Sequence, residues 1–180
     1  MINQIEPFID QEELVQLKRV VDSTFVTEAA LTAEFEGFFR EYTKSKYAIA
    51  YTNGTAALYG IMRALGIGPG DEVIVPDLTF IATSNAVIMA GAKPVFCDIE
   101  RASLGLDITK AQALINENTK AVMPVHLYGL AANVGDISKF CAKNGLYLIE
   151  DAAQGVGVRI TSRAVPGGAG GEIDPQLLAW

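Results

Sequence analysis

Histidine occurs once in these 180 residues and cysteine only twice, as Cys97 and Cys141, far apart in the chain. That supply of soft ligands excludes a zinc site, a disulfide framework and a paired-thiol redox motif. Basic residues are also few: 14 Lys and Arg stand against 21 Asp and Glu, the net charge is −7, and no basic cluster forms. An acidic chain of this kind is a poor partner for nucleic acid or for an anionic membrane. No run of 18 apolar residues occurs, and Arg63 interrupts one of the longest apolar stretches, so no membrane-spanning helix is expected. Residues 1–6 lack the basic and apolar regions of a secretory signal, which makes the expected location cytoplasmic. Apolar residues are plentiful. Half the chain is hydrophobic and only 19% is charged, enough to bury a substantial core within one domain's length.

Two amphipathic helices are predicted first. Leu14, Leu17 and Val21 fall at helical spacing behind Asp10, and Leu31, Phe35, Phe38, Phe39 and Tyr42 repeat the pattern. Short apolar runs then alternate with helical segments. Strands are predicted over residues 47–51, 72–76, 93–98, 121–126 and 146–150. Helices are predicted over 54–65, 80–90 and 134–143, with a further one starting from Asp107 as its cap. Near-continuous apolar strands alternating with helices specify an α/β fold, a three-layer α/β/α arrangement around a mostly parallel sheet. Residues 161–180, with Val165-Pro166-Gly167-Gly168-Ala169-Gly170-Gly171, break the pattern and read as loop or linker.

Ligands of open α/β sheets bind beyond the carboxyl ends of the strands, which directs attention to four places. At Asn53-Gly54-Thr55-Ala56 a predicted strand enters a helix through small residues. Its unpaired N–H groups suit a phosphate, and an ordinary helix cap is the competing reading. At Asp77-Leu78-Thr79-Phe80 the aromatic ring can stack on a flat ligand or pack in the core. His126, in His126-Leu127-Tyr128-Gly129, has no recognisable nucleophile beside it and reads as structural. Glu150 and Asp151 are successive strand residues, so only one of them faces the site; a single inward acid suits pairing with a ligand cation. The run Gly66-Ile67-Gly68-Pro69-Gly70-Asp71 imitates a dinucleotide fingerprint but follows a helix and precedes a strand. It is a turn on the wrong side of the sheet, and a nicotinamide-type enzyme is rejected because the first strand-to-helix turn lacks the glycine fingerprint. Gly167–Gly171 lacks the Gly-Lys-Ser/Thr of a P-loop.

Six blocks together resemble one family. Asn53-Gly54-Thr55-Ala56-Ala57-Leu58, Gly68-Pro69-Gly70-Asp71-Glu72-Val73-Ile74-Val75-Pro76, Thr79-Phe80-Ile81-Ala82-Thr83, Gly91-Ala92-Lys93-Pro94-Val95-Phe96, Pro124-Val125-His126-Leu127-Tyr128-Gly129 and Ile149-Glu150-Asp151-Ala152-Ala153-Gln154 are similar to the DegT/DnrJ/EryC1/StrS sugar aminotransferases. The resemblance runs from about residue 5 to residue 159. It implies part of the large domain of the type I aminotransferase fold and pyridoxal 5′-phosphate (PLP) as cofactor. The acceptor would be a keto sugar on a nucleoside diphosphate, glutamate the amino donor, and the assembly a homodimer. By the same resemblance Gly54, Thr55 and Ala56 hold the cofactor phosphate, Phe80 stacks on the pyridine ring, Asp151 pairs with the ring nitrogen and Gln154 lies near the ring hydroxyl. No metal is implied.

The chain departs from the family in one respect. The lysine that binds the cofactor covalently is expected some thirty residues beyond the Asp151 block, yet no lysine follows Lys143. The expectation is therefore residues 1–160 as a truncated cofactor-binding domain and 161–180 as an atypical tail. The small C-terminal domain is absent, no catalytic residue is assigned, and the fragment is inactive alone. The alternative is a non-catalytic binding or scaffold protein on the same fold.

Overall fold

The computed structural model describes residues 6–27 and 29–159 and the backbone of Leu178–Ala179. Two compact units emerge, Met1–Ala50 and Tyr51–Trp180. In the first, α1 (Gln11–Ser23) and α2 (Ala30–Thr43) match the predicted amphipathic helices. A capping box starts α1: the Asp10 carboxylate accepts from the Glu12 N–H, and Glu13 accepts from the Asp10 N–H at 2.7 Å. Along α2, Phe35 meets Phe39 with ring centroids 4.7 Å apart, and Phe38 stacks on Tyr42. Neither helix contains a buried residue.

The strand predicted over residues 47–51 does not form. The segment has no ladder partner among the described residues, and Tyr47 and Ile49 are exposed. The Ala50 N–H donates instead to the Glu36 carboxylate at 2.8 Å. Apolar alternation reports what a segment would bury, but a strand exists only where a neighbour completes its hydrogen bonds.

The second unit runs α3 (Gly54–Ala64), β1 (Glu72–Pro76), α4 (Ala82–Met89), β2 (Lys93–Cys97), α5 (Ile108–Ala111), β3 (Thr119–Val122), α6 (Val134–Asn144), β4 (Tyr147–Leu148), β5 (Glu150–Asp151) and β6 (Leu178–Ala179). The first four strands form one parallel sheet in the order β2-β1-β3-β4, while β5 pairs in parallel with β6. Apart from β6, the tail predicted over 161–180 lies outside the described residues. The strand expected over 121–126 leaves the ladder after Val122, because Pro124 has no N–H to give it. Pairing resumes where Val125 meets Asp151 and the Asp151 N–H donates to the Pro124 carbonyl. The strand expected over 146–150 is correspondingly divided into β4 and β5.

Alternation along the central strands builds two cores. Val73 and Val75 of β1, with Ala121 and Met123, pack on Leu58 and Met62 of α3 and Ala86 and Val87 of α4. Ile74 and Val122 point the other way, onto Ala111, Val134 and Ile137. Both faces are covered, so every residue of β1 is buried and its sequence reads as continuously apolar beyond Glu72. Cys97 and Cys141 belong to the second core. Burial pushes their thiols up to about 11 and about 12, which leaves them inert packing residues. The chain passes from β1 outward to β2, then back across to β3 on the other side of β1. That reversal opens a crevice at the carboxyl ends of β1 and β3.

At the opposite end of β1, Glu72 is buried between Lys93 Nζ at 2.8 Å and Asn116 Nδ2 at 2.7 Å. The Lys93 bond, then that of Asn116, holds its carboxyl below the ordinary value of 4.5. A carboxylate depressed in the folded state stabilises the fold above its unfolded pKa, and this contribution is lost as pH falls through the folded value. Glu72→Gln is therefore expected to lower stability at neutral pH and to flatten the acid limb of the stability profile below about pH 4.5. Urea unfolding across pH 3–7 checks it, and parallel profiles for the two proteins would refute it.

Candidate active site

A cleft of about 270 Å³ lies over the crevice, lined by Asn53, Gly54, Thr55, Thr79, Phe80, Asp151 and Gln154 among others. Small-molecule sites run from roughly 300 to 1,000 Å³, so the space is that of one compact ligand. Five of the six residues singled out from the sequence line this cleft; Ala56 does not. Thr55 and Asp151, 96 positions apart by their numbers, share one rim.

The floor at one side is the N-terminus of α3. Asn53 caps it: its side-chain oxygen accepts from the Ala56 N–H at 2.9 Å, and its carbonyl accepts from the Ala57 N–H. With those two amides committed, the N–H groups of Gly54 and Thr55 and the Thr55 hydroxyl are left for a ligand at the positive end of an eleven-residue helix. The cap and the phosphate readings are thus compatible, since they use different amides.

Phe80 stands on the loop between β1 and α4 and is 68% exposed. It is not a core residue. Its ring lines the cleft, as a flat ligand requires.

Asp151 and Glu150 divide as strand alternation demands. Asp151 lines the cleft and is buried; its Oδ2 accepts from the Thr83 hydroxyl at 2.7 Å and its Oδ1 from the Ala153 N–H at 3.3 Å. Glu150 is buried away from the cleft lining, with Oε2 2.9 Å from His126 Nε2. His126 Nδ1 accepts from the Ala132 N–H at 3.1 Å. An accepting Nδ1 carries no proton, so Nε2–H donates to Glu150 and the ring is the neutral tautomer. The histidine is structural, as expected: it ties β5 to the turn that follows β3. Gly155 packs against it so closely that a Cβ there would lie 2.7 Å from His126 Cβ.

The turn held by His126 also sets Gln154. Tyr128, in the left-handed region at φ 55°, donates its N–H to Gln154 Oε1 at 3.1 Å, and the Gly129 N–H donates to the Gln154 carbonyl. With Oε1 engaged, the Gln154 amide NH₂ is the end available to the cleft, a donor suited to a ligand oxygen.

Two hydroxyls escaped sequence reasoning. Thr79 lines the cleft, and Thr83 is fully buried on α4 against Asp151. Their signal was faint but present: two threonines four apart, one on the buried face of a helix otherwise rich in apolar residues.

The decoy turn Gly66–Asp71 connects α3 to β1 at the far end of the strands from the cleft, as predicted. Gly167–Gly171 lies outside the described residues. Among the described residues no cluster of ligating side chains could hold a metal, and no helix is long and apolar enough to cross a membrane.

The sequence model of the DegT/DnrJ/EryC1/StrS aminotransferase family matches residues 7–173. It continues past residue 159, where the sequence had been expected to leave the family; the glycine-rich run there is part of the match. A GDP-perosamine synthase of Vibrio cholerae is 42% identical over 166 residues, which are 92% of this chain and 45% of that protein. An aminotransferase structure from Psychrobacter cryohalolentis superposes with a TM-score of 0.80 at 40% identity, covering 84% of this chain and 39% of the other. NtdA of Bacillus subtilis, with pyridoxamine 5′-phosphate (PMP) bound, gives 0.79 at 36% identity over 83% of this chain and 34% of its own. The chain spans under half the length of the curated relatives it matches.

Proposed function

Because this chain belongs to the DegT/DnrJ/EryC1/StrS aminotransferase family, we propose that its cleft is the cofactor cradle of a PLP-dependent aminotransferase of nucleotide-linked keto sugars. The observation that carries this reading is the meeting, in one cleft, of a helix N-terminus, an exposed aromatic ring and a buried carboxylate. These three fit the three chemical parts of the cofactor. The amides of Gly54 and Thr55, next to Ala56 in the same turn, take the phosphate dianion. Phe80 covers one face of the pyridine ring. Asp151 pairs with the protonated ring nitrogen, and the Gln154 amide donates to the ring hydroxyl. When bound, the cofactor supplies an electron sink for chemistry at an amino-bearing carbon.

We assign the product class as amino sugars for polysaccharide biosynthesis, in line with the relatives' names, and take glutamate as the amino donor from the family resemblance alone. A cytoplasmic homodimer is the proposed working state, with this chain contributing the cradle. Among the described residues no lysine lines the cleft, so the chain by itself is proposed to bind cofactor without turning it over.

Titration calorimetry with PMP tests the cradle. Binding is expected, and pyridoxamine without its phosphate is expected to bind at least about tenfold more weakly, since charge-assisted contacts at the α3 terminus are lost. A chain that binds neither ligand, or both equally, would refute the assignment and favour a scaffold role for the fold.

A further inference from the structure

Thr83 is a hydroxyl placed where an apolar residue would satisfy packing. It lies on α4, fully buried, with Ala86 and Val87 of the same helix in the core. A buried hydroxyl is costly unless bonded, and this one has two partners. Thr83 Oγ1 lies 2.7 Å from Asp151 Oδ2 and 2.8 Å from Thr79 Oγ1. A carboxylate only accepts, so the single Thr83 proton goes to Asp151. Thr79 must then supply the proton of the second bond; the Phe80 carbonyl, 3.3 Å from Thr79 Oγ1, is the more distant of the two acceptors for that proton. The chain is directional: Thr79 donates to Thr83, and Thr83 donates to Asp151. On its other oxygen Asp151 takes the Ala153 N–H, so the carboxylate is gripped from two elements, α4 and the turn after β5.

We propose that Thr83 is a positioning residue for Asp151. Its hydroxyl, oriented by Thr79, fixes the carboxylate so that the remaining lone pairs are presented to a cationic ring nitrogen in the cleft. The inference rests on the cofactor reading above. It adds that the strength of the Asp151 contact depends on two threonine hydroxyls, only one of which reaches the cleft lining. Preorganised acceptors hold charge better than acceptors that must be reoriented at binding.

The experiment compares two ligands, PMP and its 1-deaza analogue, in which a carbon replaces the ring nitrogen, by calorimetry on the full chain. Wild type is expected to prefer PMP. Thr83→Val is expected to weaken PMP about tenfold, the scale of one hydrogen bond to a charged group, and to leave the analogue unchanged. Thr83→Ser keeps the hydroxyl and should restore the preference. In an Asp151→Asn background, Thr83→Val should change neither ligand. Should Thr83→Val fail to fold, Thr79→Val tests the same chain from its outer end, with a smaller loss in the same direction. Equal loss for both ligands would make Thr83 merely structural and overturn the inference, as would no loss in either variant. A wild type that does not distinguish the two ligands would overturn the cofactor reading itself, and the inference with it.

Discussion

Mixed with PLP and reduced with borohydride, the 180-residue chain is expected to yield no cofactor-modified lysine in the cleft and no transamination. The lysines of residues 51–159 are all engaged or placed elsewhere. Lys93 pairs with Glu72 at the start of β2, Lys110 pairs with Asp98, and Lys139 pairs with Asp136 on α6. Lys120 lies on β3, 4.0 Å from Asp71, and Lys143 is in the last turn of α6. None lines the cleft. An amine on the protein is needed both to hold the cofactor covalently and to move a proton during turnover. Loss of acid–base assistance alone costs about 10²–10⁴-fold in rate. Peptide mapping by mass spectrometry after reduction checks the expectation. A single modified lysine traced to the cleft would overturn it. Activity gained on adding a polypeptide that bears a relative's cofactor lysine would support it.

The second large effect concerns Asp151. Asp151→Asn is expected to weaken PMP binding by about 100-fold or more, because removing one partner of a buried charge pair costs about 3–5 kcal/mol. Asparagine nearly preserves the shape, and its oxygen can still accept from Thr83, so the fold should survive. The same substitution should leave binding of the 1-deaza analogue nearly unchanged, since no ring cation is present to lose its partner. Calorimetry on both ligands separates the outcomes. Equal loss for both would mean that Asp151 shapes the cleft and does not read the ring nitrogen.

The positions of these residues were legible to different degrees. Strand periodicity alone said that Glu150 and Asp151 face opposite ways. It did not say which faces the ligand, and the resemblance chose Asp151. The structure supplies the physical counterpart, because Glu150 is committed to His126 and cannot turn. Phe80 was ambiguous in sequence because an aromatic after a strand serves a core and a ligand equally well. Its exposure removes it from the core. Thr83 carried only the faint signal of a polar residue on an apolar helix face; its partner, 68 residues away, is a tertiary fact.

What the sequence by itself determined is what depends on neighbours a few residues apart. Asp10 and Asn53 bond amides within three positions and so fix where α1 and α3 begin. The alternation of Val73, Ile74 and Val75 fixes which face each serves. What only the tertiary structure decided is what depends on a distant partner. The apolar segment 47–51 has strand character but, among the described residues, no strand beside it, so it has no ladder there. Pro124 breaks the β3 ladder, and pairing resumes only where Val125 meets Asp151. The Thr79–Thr83–Asp151 chain exists because α4 packs on the sheet at one particular register. Local rules of capping and periodicity act through bonded geometry, whereas ladders and buried polar networks need groups that the chain brings together only on folding.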